Sequence, residues 1–224
     1  PFLQIVLVST PVGFIGSGKG GGVELTLTSL IRGLKEKGHT LTLVAPEGSV
    51  LPPVCSEVEI RQVYGVDQRS WQHVEKLAPV EIPYEGVLPK LWEHALELGS
   101  KADAVINFGY DWLPIWLTPW VEARLFHLIS MGGVSNVMQS LIEDLAKVDQ
   151  SRLAFHTYRQ ASDFSLLQEP VVVGNGFDLK QYDFQLNGGG PLGWAGRVAP
   201  EKGLEDAVAV AVALQDRLLV WGVI

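Results

Sequence analysis

The sequence predicts an α/β protein built on a parallel sheet. Short runs rich in β-branched and aliphatic residues alternate with helical segments. Several of these runs are apolar without alternation, as expected for parallel strands covered on both faces. The clearest are QIVLVST (4–10), TLTLVAP (40–46), DAVINFG (103–109), RLFHLIS (124–130) and SRLAFHT (151–157). Strand, helix and strand in alternation imply right-handed crossovers.

Helical periodicity accounts for much of the sequence between these strands. An apolar stripe at helical spacing follows a glycine-rich loop and comprises Leu27, Leu30, Ile31 and Leu34. Gly38 is a natural C-terminal stop for that helix. A further helix is expected after Ser135. The stretch 48–100 is interrupted by prolines and is expected to hold loops and short elements, with a helix over 90–98.

The strand–helix pattern restarts near Pro170 with VVV (171–173). A strand (192–198), a helix (about 204–215) and a strand (218–224) are then expected. The sequence therefore predicts a first Rossmann-like domain over 1–169 and the opening part of a second one over 170–224. Because the chain ends on an apolar strand, it is expected to be a fragment that lacks the rest of the second domain.

Composition excludes several classes of partner. Acidic residues outnumber basic ones, 25 to 17, which gives a net charge of -8 and makes non-specific binding to nucleic acid or anionic membranes unfavourable. The single cysteine, Cys55, cannot form an intrachain disulfide and suits a reducing compartment. The longest aliphatic run, Ala207 to Leu214, is too short to span a bilayer. A cytoplasmic protein with no membrane span is expected.

The loop GFIGSGKGGGVE (13–24) admits three interpretations. Gly13 to Lys19 fits the spacing of a phosphate-binding P-loop, but Gly20 stands where a Mg²⁺-binding hydroxyl is needed. A dinucleotide fingerprint fits Gly16, Gly18 and Gly21, although the loop is long and Glu47 is only loosely placed to hold a ribose. In the third interpretation, glycines let backbone amides and a helix N-terminus approach a bound molecule. A merely flexible surface loop is the simplest alternative.

The stretch GWAGRVAPEKGLEDAV (193–208) resembles the start of the C-terminal domain in GT-B glycosyltransferases of family 4. These proteins carry a strand, then G-R, then a short loop ending in E-K-G, then a helix. The matching positions are Gly196, Arg197, Glu201, Lys202 and Gly203. The resemblance implies that Arg197 and Lys202 bind the diphosphate of a nucleotide-sugar donor. Two fixed cations suit that role, because charge grows on the diphosphate as the sugar bond breaks.

Other segments match the same family in order. They are GGVE (21–24), GH (38–39), YDWLP (110–114), FH (126–127) and NGFD (175–178). The resemblance implies that Gly20, Gly21, Gly22 and Glu24 border the donor and acceptor cleft. The opening STPVG…GGGVELTL also resembles cyanobacterial enzymes that glucosylate tetrahydrobiopterin, which implies UDP-glucose as donor and a pteridine as acceptor.

The family resemblance implies a retaining transfer of a hexose without a metal or another cofactor. His127 would position the sugar or acceptor, and Asp111 would bind acceptor hydroxyls or assist their deprotonation. Simpler alternatives are a core histidine and a helix-capping aspartate. Trp112, Trp116 and Trp120 recur every fourth residue, which favours helical core packing or an aromatic wall for a flat acceptor.

Two further classes of function stay open on the sequence. A non-catalytic module could recognise a nucleotide or sugar through the same loops, and a P-loop kinase or an NAD-dependent oxidoreductase is a weaker enzymatic rival. Neither an H-E-x-x-H motif nor a cysteine cluster occurs, so no metal site is expected. The expected partners are a nucleotide-sugar donor and a small-molecule acceptor.

Overall fold

Seven parallel strands form one sheet in the computed structural model, which describes residues 1–179, 182–196, 198 and 202–222. The strands are β1 (Gln4–Val8), β2 (Thr40–Pro46), β3 (Glu59–Val63), β4 (Ala104–Asn107), β5 (Leu125–Ile129), β6 (Leu153–Phe155) and β7 (Val171–Val172). Their spatial order is β3-β2-β1-β4-β5-β6-β7, and every adjacent pair is parallel. The parallel sheet expected from the sequence is confirmed.

Helices cover both faces of this sheet. They are α1 (Gly22–Glu36), α2 (Val87–Gly99), α3 (Trp112–Leu117), α4 (Asn136–Asp149) and α5 (Tyr158–Ala161). Strand β1 shows why its run is apolar throughout. Ile5 and Leu7 pack with Leu27 of α1, whereas Val6 and Val8 pack with Leu91 of α2. Successive residues of a strand point to opposite faces, so a strand buried on both sides needs apolar residues at every position.

The chain divides into two compact units, Pro1–Asp178 and Leu179–Ile224. In the second unit, β8 (Leu192–Ala195) and β9 (Leu218–Trp221) pair in parallel, and α6 (Leu204–Leu214) connects them. This is the strand–helix–strand unit expected from the sequence.

Two details differ from the expectation. The proline-rich stretch 48–100 contributes β3 to the sheet, and α2 begins at Val87 rather than at residue 90. Pro89 is tolerated there because the first turn of a helix needs no N–H partner inside the helix. The VVV run supplies β7, which pairs with β6 at the edge of the first sheet. This strand follows the domain boundary predicted at residue 169/170, and that boundary remains a prediction.

The strand order places a crevice beside β1. The chain runs from β1 to β2 and β3 on one side, then crosses to β4 on the other, so the strand order reverses between β1 and β4. In open α/β sheets, ligands bind outside the carboxyl ends of the strands at such a reversal. No helix among the described residues is long and apolar enough to cross a membrane.

Candidate functional site at the carboxyl edge of the sheet

Two strand exits pack together at the reversal point. Ser9 and Thr10 follow β1, and Gly109 to Asp111 follow β4. We call the crevice that these residues border the switch-point crevice. A Cβ added to Gly109 would lie 3.1 Å from Pro11 Cδ, so glycine relieves crowding where the two exits approach each other. The loop between β3 and α2 (residues 64–86, the β3–α2 loop) contacts the chain after β1, because the Gln68 N–H donates to the Pro11 carbonyl at 2.8 Å.

Asn107 fixes the exit from β4. Its Nδ2 donates to the Gly109 carbonyl at 2.8 Å, and its Oδ1 accepts from the Gly109 N–H at 2.9 Å. The same Nδ2 lies 3.1 Å from Nδ1 of His127, and Nε2 of His127 lies 2.7 Å from the hydroxyl of Thr118. We call Asn107, His127 and Thr118 the Asn107 network. Sequence reasoning did not identify Asn107 as part of the site.

The hydrogen bonds of this network define one tautomer of His127. An amide NH₂ can only donate, so Nδ1 of His127 accepts and Nε2 carries the hydrogen. That hydrogen goes to Thr118, whose own hydroxyl donates to the Pro114 carbonyl at 2.7 Å. Burial, assisted by the charge of Arg152, lowers the pKa of His127 to about 3. His127 is therefore a neutral side chain, 1% exposed, with both ring nitrogens bonded.

Asp111 is the N-cap of helix α3 and is only 1% exposed. Its Oδ1 accepts from the N–H of Trp112 at 2.8 Å. Burial raises the pKa of Asp111 to about 7, although this N–H and the indole of Trp71 favour the charged form. The Trp71 indole is thus close to the carboxyl group, but its N–H does not meet hydrogen-bond geometry. A carboxyl group with a pKa near neutrality suits general base catalysis.

Buried polar atoms without partners cluster near this carboxyl group. Within the described part of the chain, no hydrogen bond is made by Ser9 Oγ, Gln68 Oε1, Trp71 Nε1 or Trp112 Nε1. Buried polar atoms are nearly always paired with protein or with ordered water, and an unpaired one costs about 1–3 kcal/mol. Hydrogen bonding is therefore incomplete among the buried side chains around the switch-point crevice.

Glu24 holds the glycine loop closed on itself. Its Oε2 accepts from the Gly16 N–H at 2.8 Å, and its Oε1 accepts from the Gly20 N–H at 3.0 Å. A Cβ on Gly20 would lie 2.9 Å from Glu24 Cγ and 3.1 Å from Thr10 Cγ2, so a larger residue would have to displace the Glu24 side chain. The structure gives Glu24 a loop-organising role and assigns two of the loop amides to its carboxylate.

The remaining loop residues lie near the same edge of the sheet. Gly21 caps α1 with a φ of 55°, a conformation that favours glycine, and Gly22 is the first residue of the helix. Lys19 forms an ion pair with Asp67 of the β3–α2 loop at 2.8 Å. The glycine loop is thus tied both to its own helix and to the neighbouring loop.

The three tryptophans form a tilted row that leads away from Asp111. Ring centroids are 6.5 Å apart for Trp112 and Trp116, and 6.4 Å apart for Trp116 and Trp120. Trp116 is 50% exposed and Trp120 is 74% exposed, so the expectation of core packing is wrong for these two. The helix ends at Leu117, and the chain continues through a 3₁₀ turn that contains Pro119.

The residues predicted to bind a donor diphosphate belong to the second unit. Arg197 and Glu201 lie outside the described residues. Lys202 is exposed, and its backbone carbonyl accepts from the Trp194 indole at 3.1 Å. The binding of a diphosphate by Arg197 and Lys202 remains a prediction. Across the described ranges, no group of three or more His, Cys, Asp or Glu residues could hold a metal ion.

Comparison with solved structures finds the same kind of fold. AviGT4, a glycosyltransferase involved in avilamycin A biosynthesis, aligns with a TM-score of 0.59 and 18% identity over 97% of this chain and 56% of its own. A glycotransferase of kitacinnamycin aligns with a TM-score of 0.48, 14% identity and coverage of 98% and 65%. MurG from Acinetobacter baumannii aligns with a TM-score of 0.45, 14% identity and coverage of 98% and 60%.

Sequence comparison adds nothing to this likeness, since no family model matches the chain and no curated protein matches it. The chain spans just over half the length of AviGT4. At 18% identity the likeness concerns the fold alone. The chain therefore has an α/β, GT-B-like fold, with a Rossmann-like parallel-sheet unit followed by the opening strand–helix–strand of a second one.

Proposed function

We propose that this chain carries the acceptor-side domain, and the start of the donor-side domain, of a retaining glycosyltransferase. The reaction transfers a hexose, glucose in our proposal, from UDP-glucose to a small-molecule acceptor such as a pteridine. The observation that carries the proposal is the buried carboxyl group of Asp111, at the carboxyl edge of a GT-B-like sheet, with a pKa of about 7.

Asp111 is suited to receive an acceptor hydroxyl. A carboxylate with an ordinary pKa near 4 is a weak base, whereas one with a pKa near 7 accepts a proton more readily and is still partly ionised at neutral pH. In a retaining transfer, the hydroxyl attacks from the face that the diphosphate leaves, and the diphosphate also helps to accept the proton. Asp111 then binds and orients the hydroxyl at the crevice and assists its deprotonation.

His127 supports this geometry without touching the substrate in our proposal. Both ring nitrogens of His127 are hydrogen bonded. Its partner Asn107 also bonds to the backbone of Gly109. Gly109 is two residues from Asp111. We therefore propose that the Asn107 network fixes the backbone conformation that positions Asp111. In this proposal His127 is a positioning residue.

Donor binding is assigned to the second unit by the sequence resemblance alone. Arg197 and Lys202 are proposed to neutralise the diphosphate, since charge-assisted hydrogen bonds to phosphate are among the strongest in proteins. The glycine loop, at Gly20, Gly21 and Gly22, is proposed to border the reacting groups.

Calorimetry on the whole protein tests this function. UDP or UDP-glucose should bind more tightly than ATP or NAD. Arg197→Ala should weaken UDP binding by about tenfold or more, because it removes a charge-assisted contact. Arg217→Ala, an exposed arginine of the same unit, is the matched control and should leave binding unchanged. A preference for ATP or NAD would contradict the proposal, and UDP-glucose binding without glycosyl transfer would identify a binding module instead.

A further inference from the structure

The exposed tryptophans of α3 and of the turn after it form an aromatic surface that the proposed function does not use. Trp116 is 50% exposed and Trp120 is 74% exposed, and their ring centroids are 6.4 Å apart. Large aromatic side chains that are exposed together, rather than singly, mark interaction surfaces in soluble proteins. Pro119 between them is exposed as well, and we call Trp116, Pro119 and Trp120 the tryptophan ridge.

The ridge stands on a firmly packed base. Leu113 and Leu117 of α3 pack into the apolar cluster that contains the core residues of α2. Ile115 packs into the cluster that contains the core residues of α4, β5 and β6. The inner side of α3 is therefore fixed, and a partner that covers the outer side orders little that is not already ordered.

The exposed end of the ridge lies away from the switch-point crevice. Helix α3 begins after β4, at the carboxyl edge of the sheet, whereas Trp120 closely precedes Leu125, the first residue of β5. Because the strands of this sheet are parallel, the start of β5 lies at the opposite, amino edge. A substrate bound at the crevice is therefore not the molecule that covers Trp120.

Two charges of opposite sign follow the ridge. Val121 and Ala123 pack inward with the cluster of α2, whereas Glu122 and Arg124 are exposed. Across the part of the chain that the structure describes, neither of these two side chains forms an ion pair. In a two-fold symmetric interface, residue i contacts residue j of the partner and j contacts i. A two-fold axis between Glu122 and Arg124 therefore pairs each of them with the opposite charge on a second copy.

The area of the ridge suits the centre of such an interface. A tryptophan side chain buries about 150–250 Å², so the exposed parts of Trp116 and Trp120 offer roughly 250 Å² per subunit. A standard interface buries about 800 Å² on each partner, and a few central residues, tryptophan prominent among them, dominate its affinity. The ridge supplies an apolar centre of this kind, and Glu122 and Arg124 supply part of a polar rim.

We propose that the tryptophan ridge, with Glu122 and Arg124 at its rim, is the interface of a two-fold symmetric homodimer of this protein. A membrane surface is the competing occupant, since tryptophan also favours lipid interfaces. The net charge of -8 and the unpaired Glu122 beside the ridge oppose binding to anionic lipid, whereas a second copy answers both rim charges. The proposal does not rest on the proposed glycosyltransferase function.

Sedimentation velocity on the whole protein, at concentrations up to about 100 μM, tests the proposal. We expect a dimer whose fraction rises with concentration. Trp120→Ser should raise the dimer dissociation constant by about 30-fold or more, because it removes a central aromatic side chain from both subunits. Tyr84→Ser, at a tyrosine of the β3–α2 loop that is 90% exposed, is the matched control and should leave the constant unchanged. A monomeric wild type, or undiminished dimerisation of Trp120→Ser, would overturn the proposal.

Charge reversal tests the two-fold pairing. Glu122→Arg and Arg124→Glu should each raise the dissociation constant by about tenfold or more, because each places like charges opposite one another across the axis. The two substitutions shift the net charge in opposite directions, so general repulsion does not explain a loss in both. The double variant Glu122→Arg/Arg124→Glu should return the constant to within about threefold of wild type. A double variant as weak as the single ones would refute the pairing. All of these side chains are exposed, so circular dichroism should show an unchanged fold.

Co-sedimentation with vesicles tests the competing occupant. We expect wild-type protein to bind neither phosphatidylcholine vesicles nor vesicles that also contain phosphatidylglycerol. Vesicle binding by a monomeric wild type, lost in Trp120→Ser, would assign the ridge to a membrane surface and end the dimer proposal. UDP binding on the same samples keeps the two proposals apart. Dimers that do not bind UDP would leave only the homodimer, and monomers that bind UDP and transfer sugar would leave only the glycosyltransferase.

Discussion

The Asn107 network and the region around Asp111 are both buried, but they differ in how completely their polar atoms are hydrogen bonded. The Asn107 network is complete, since each of its three side chains is hydrogen bonded and the imidazole is neutral. The region around Asp111 is incomplete, because Ser9, Gln68, Trp71 and Trp112 each leave a buried polar atom without a partner in the described ranges. Both regions are equally buried, so burial alone does not distinguish them.

The difference separates a structural role from a binding role. A satisfied network stabilises one arrangement of the backbone and has no bonding capacity left for a ligand. An unsatisfied region costs stability in the empty protein and recovers that cost when a polar molecule arrives. We therefore expect substitutions in the Asn107 network to affect mainly folding, and substitutions around Asp111 to affect mainly activity.

The largest effect is expected for Asp111→Asn in a glycosyl transfer assay. Loss of a group that assists deprotonation should lower kcat by about 100-fold or more. In the wild type, activity should rise as the pH rises through about 7, because the carboxylate form is the active one. Asp144→Asn, on the exposed side of α4, is the control and should retain full activity. A kcat within threefold of wild type would remove Asp111 from the mechanism.

The pH dependence of stability should separate the two regions by sign. Folded Asp111 keeps a proton between its ordinary pKa of 3.8 and about 7, so its contribution to stability falls as the pH rises. Folded His127 lacks a proton between about 3 and its ordinary pKa of 6.5, so its contribution rises with pH. Between pH 4 and 6.5 the two oppose each other, each by up to about 1.4 kcal/mol per pH unit.

Single variants should uncover these opposed contributions in denaturant unfolding. The free energy of unfolding of Asp111→Asn relative to wild type should increase with pH over this range. That of His127→Leu relative to wild type should decrease. If the two differences in unfolding free energy change with pH in the same direction, the assignment of protonation states to the two regions is wrong.

A smaller effect on stability is expected for His127→Leu at pH 7. The substitution removes two hydrogen bonds, but Asn107 and Thr118 each retain a backbone partner, so the loss should be about 1–3 kcal/mol. Urea unfolding measures it. His39→Leu, which removes one half-exposed contact to the Leu3 N–H, provides the comparison and should cost less. An equal cost for both would argue against a special role for the network.

The smallest effect is expected for Lys19→Met. The ion pair with Asp67 is partly exposed, and such pairs contribute at most about 0.5–1 kcal/mol. Thermal unfolding should therefore show almost no change, and transfer activity should be retained if the lysine does not contact the donor. A loss of activity above tenfold with unchanged stability would instead assign Lys19 to phosphate binding.

Periodicity was sufficient to predict most of the fold. The runs rich in β-branched and aliphatic residues predicted β1, β2, β4, β5 and β6, and Leu27 and Ile31 of the predicted apolar stripe are buried as expected. The helix expected after Ser135 is α4, and the Ser135 side chain caps it by accepting from the N–H of Met138. These features are local consequences of burial on one or both faces of an element, so they are visible in a short window of sequence.

The site was harder to predict because it depends on contacts between distant segments. Asp111 was found by its resemblance and its position after a strand, but nothing in a linear pattern raises the pKa of one aspartate over another. Gln68 and Trp71 lie in a loop without periodicity and meet the strand exits only through tertiary packing. Asn107 carried a weak signal as a polar residue ending an apolar strand, and that signal was missed.

The carboxylate of Glu24 has a consequence for the thermodynamics of binding. By accepting N–H groups from Gly16 and Gly20, it restricts a six-glycine loop before any ligand arrives. A loop of this composition would otherwise lose much conformational entropy on association. Preorganisation by this side chain reduces that entropic penalty, so the glycines allow close approach while the loop keeps less conformational freedom.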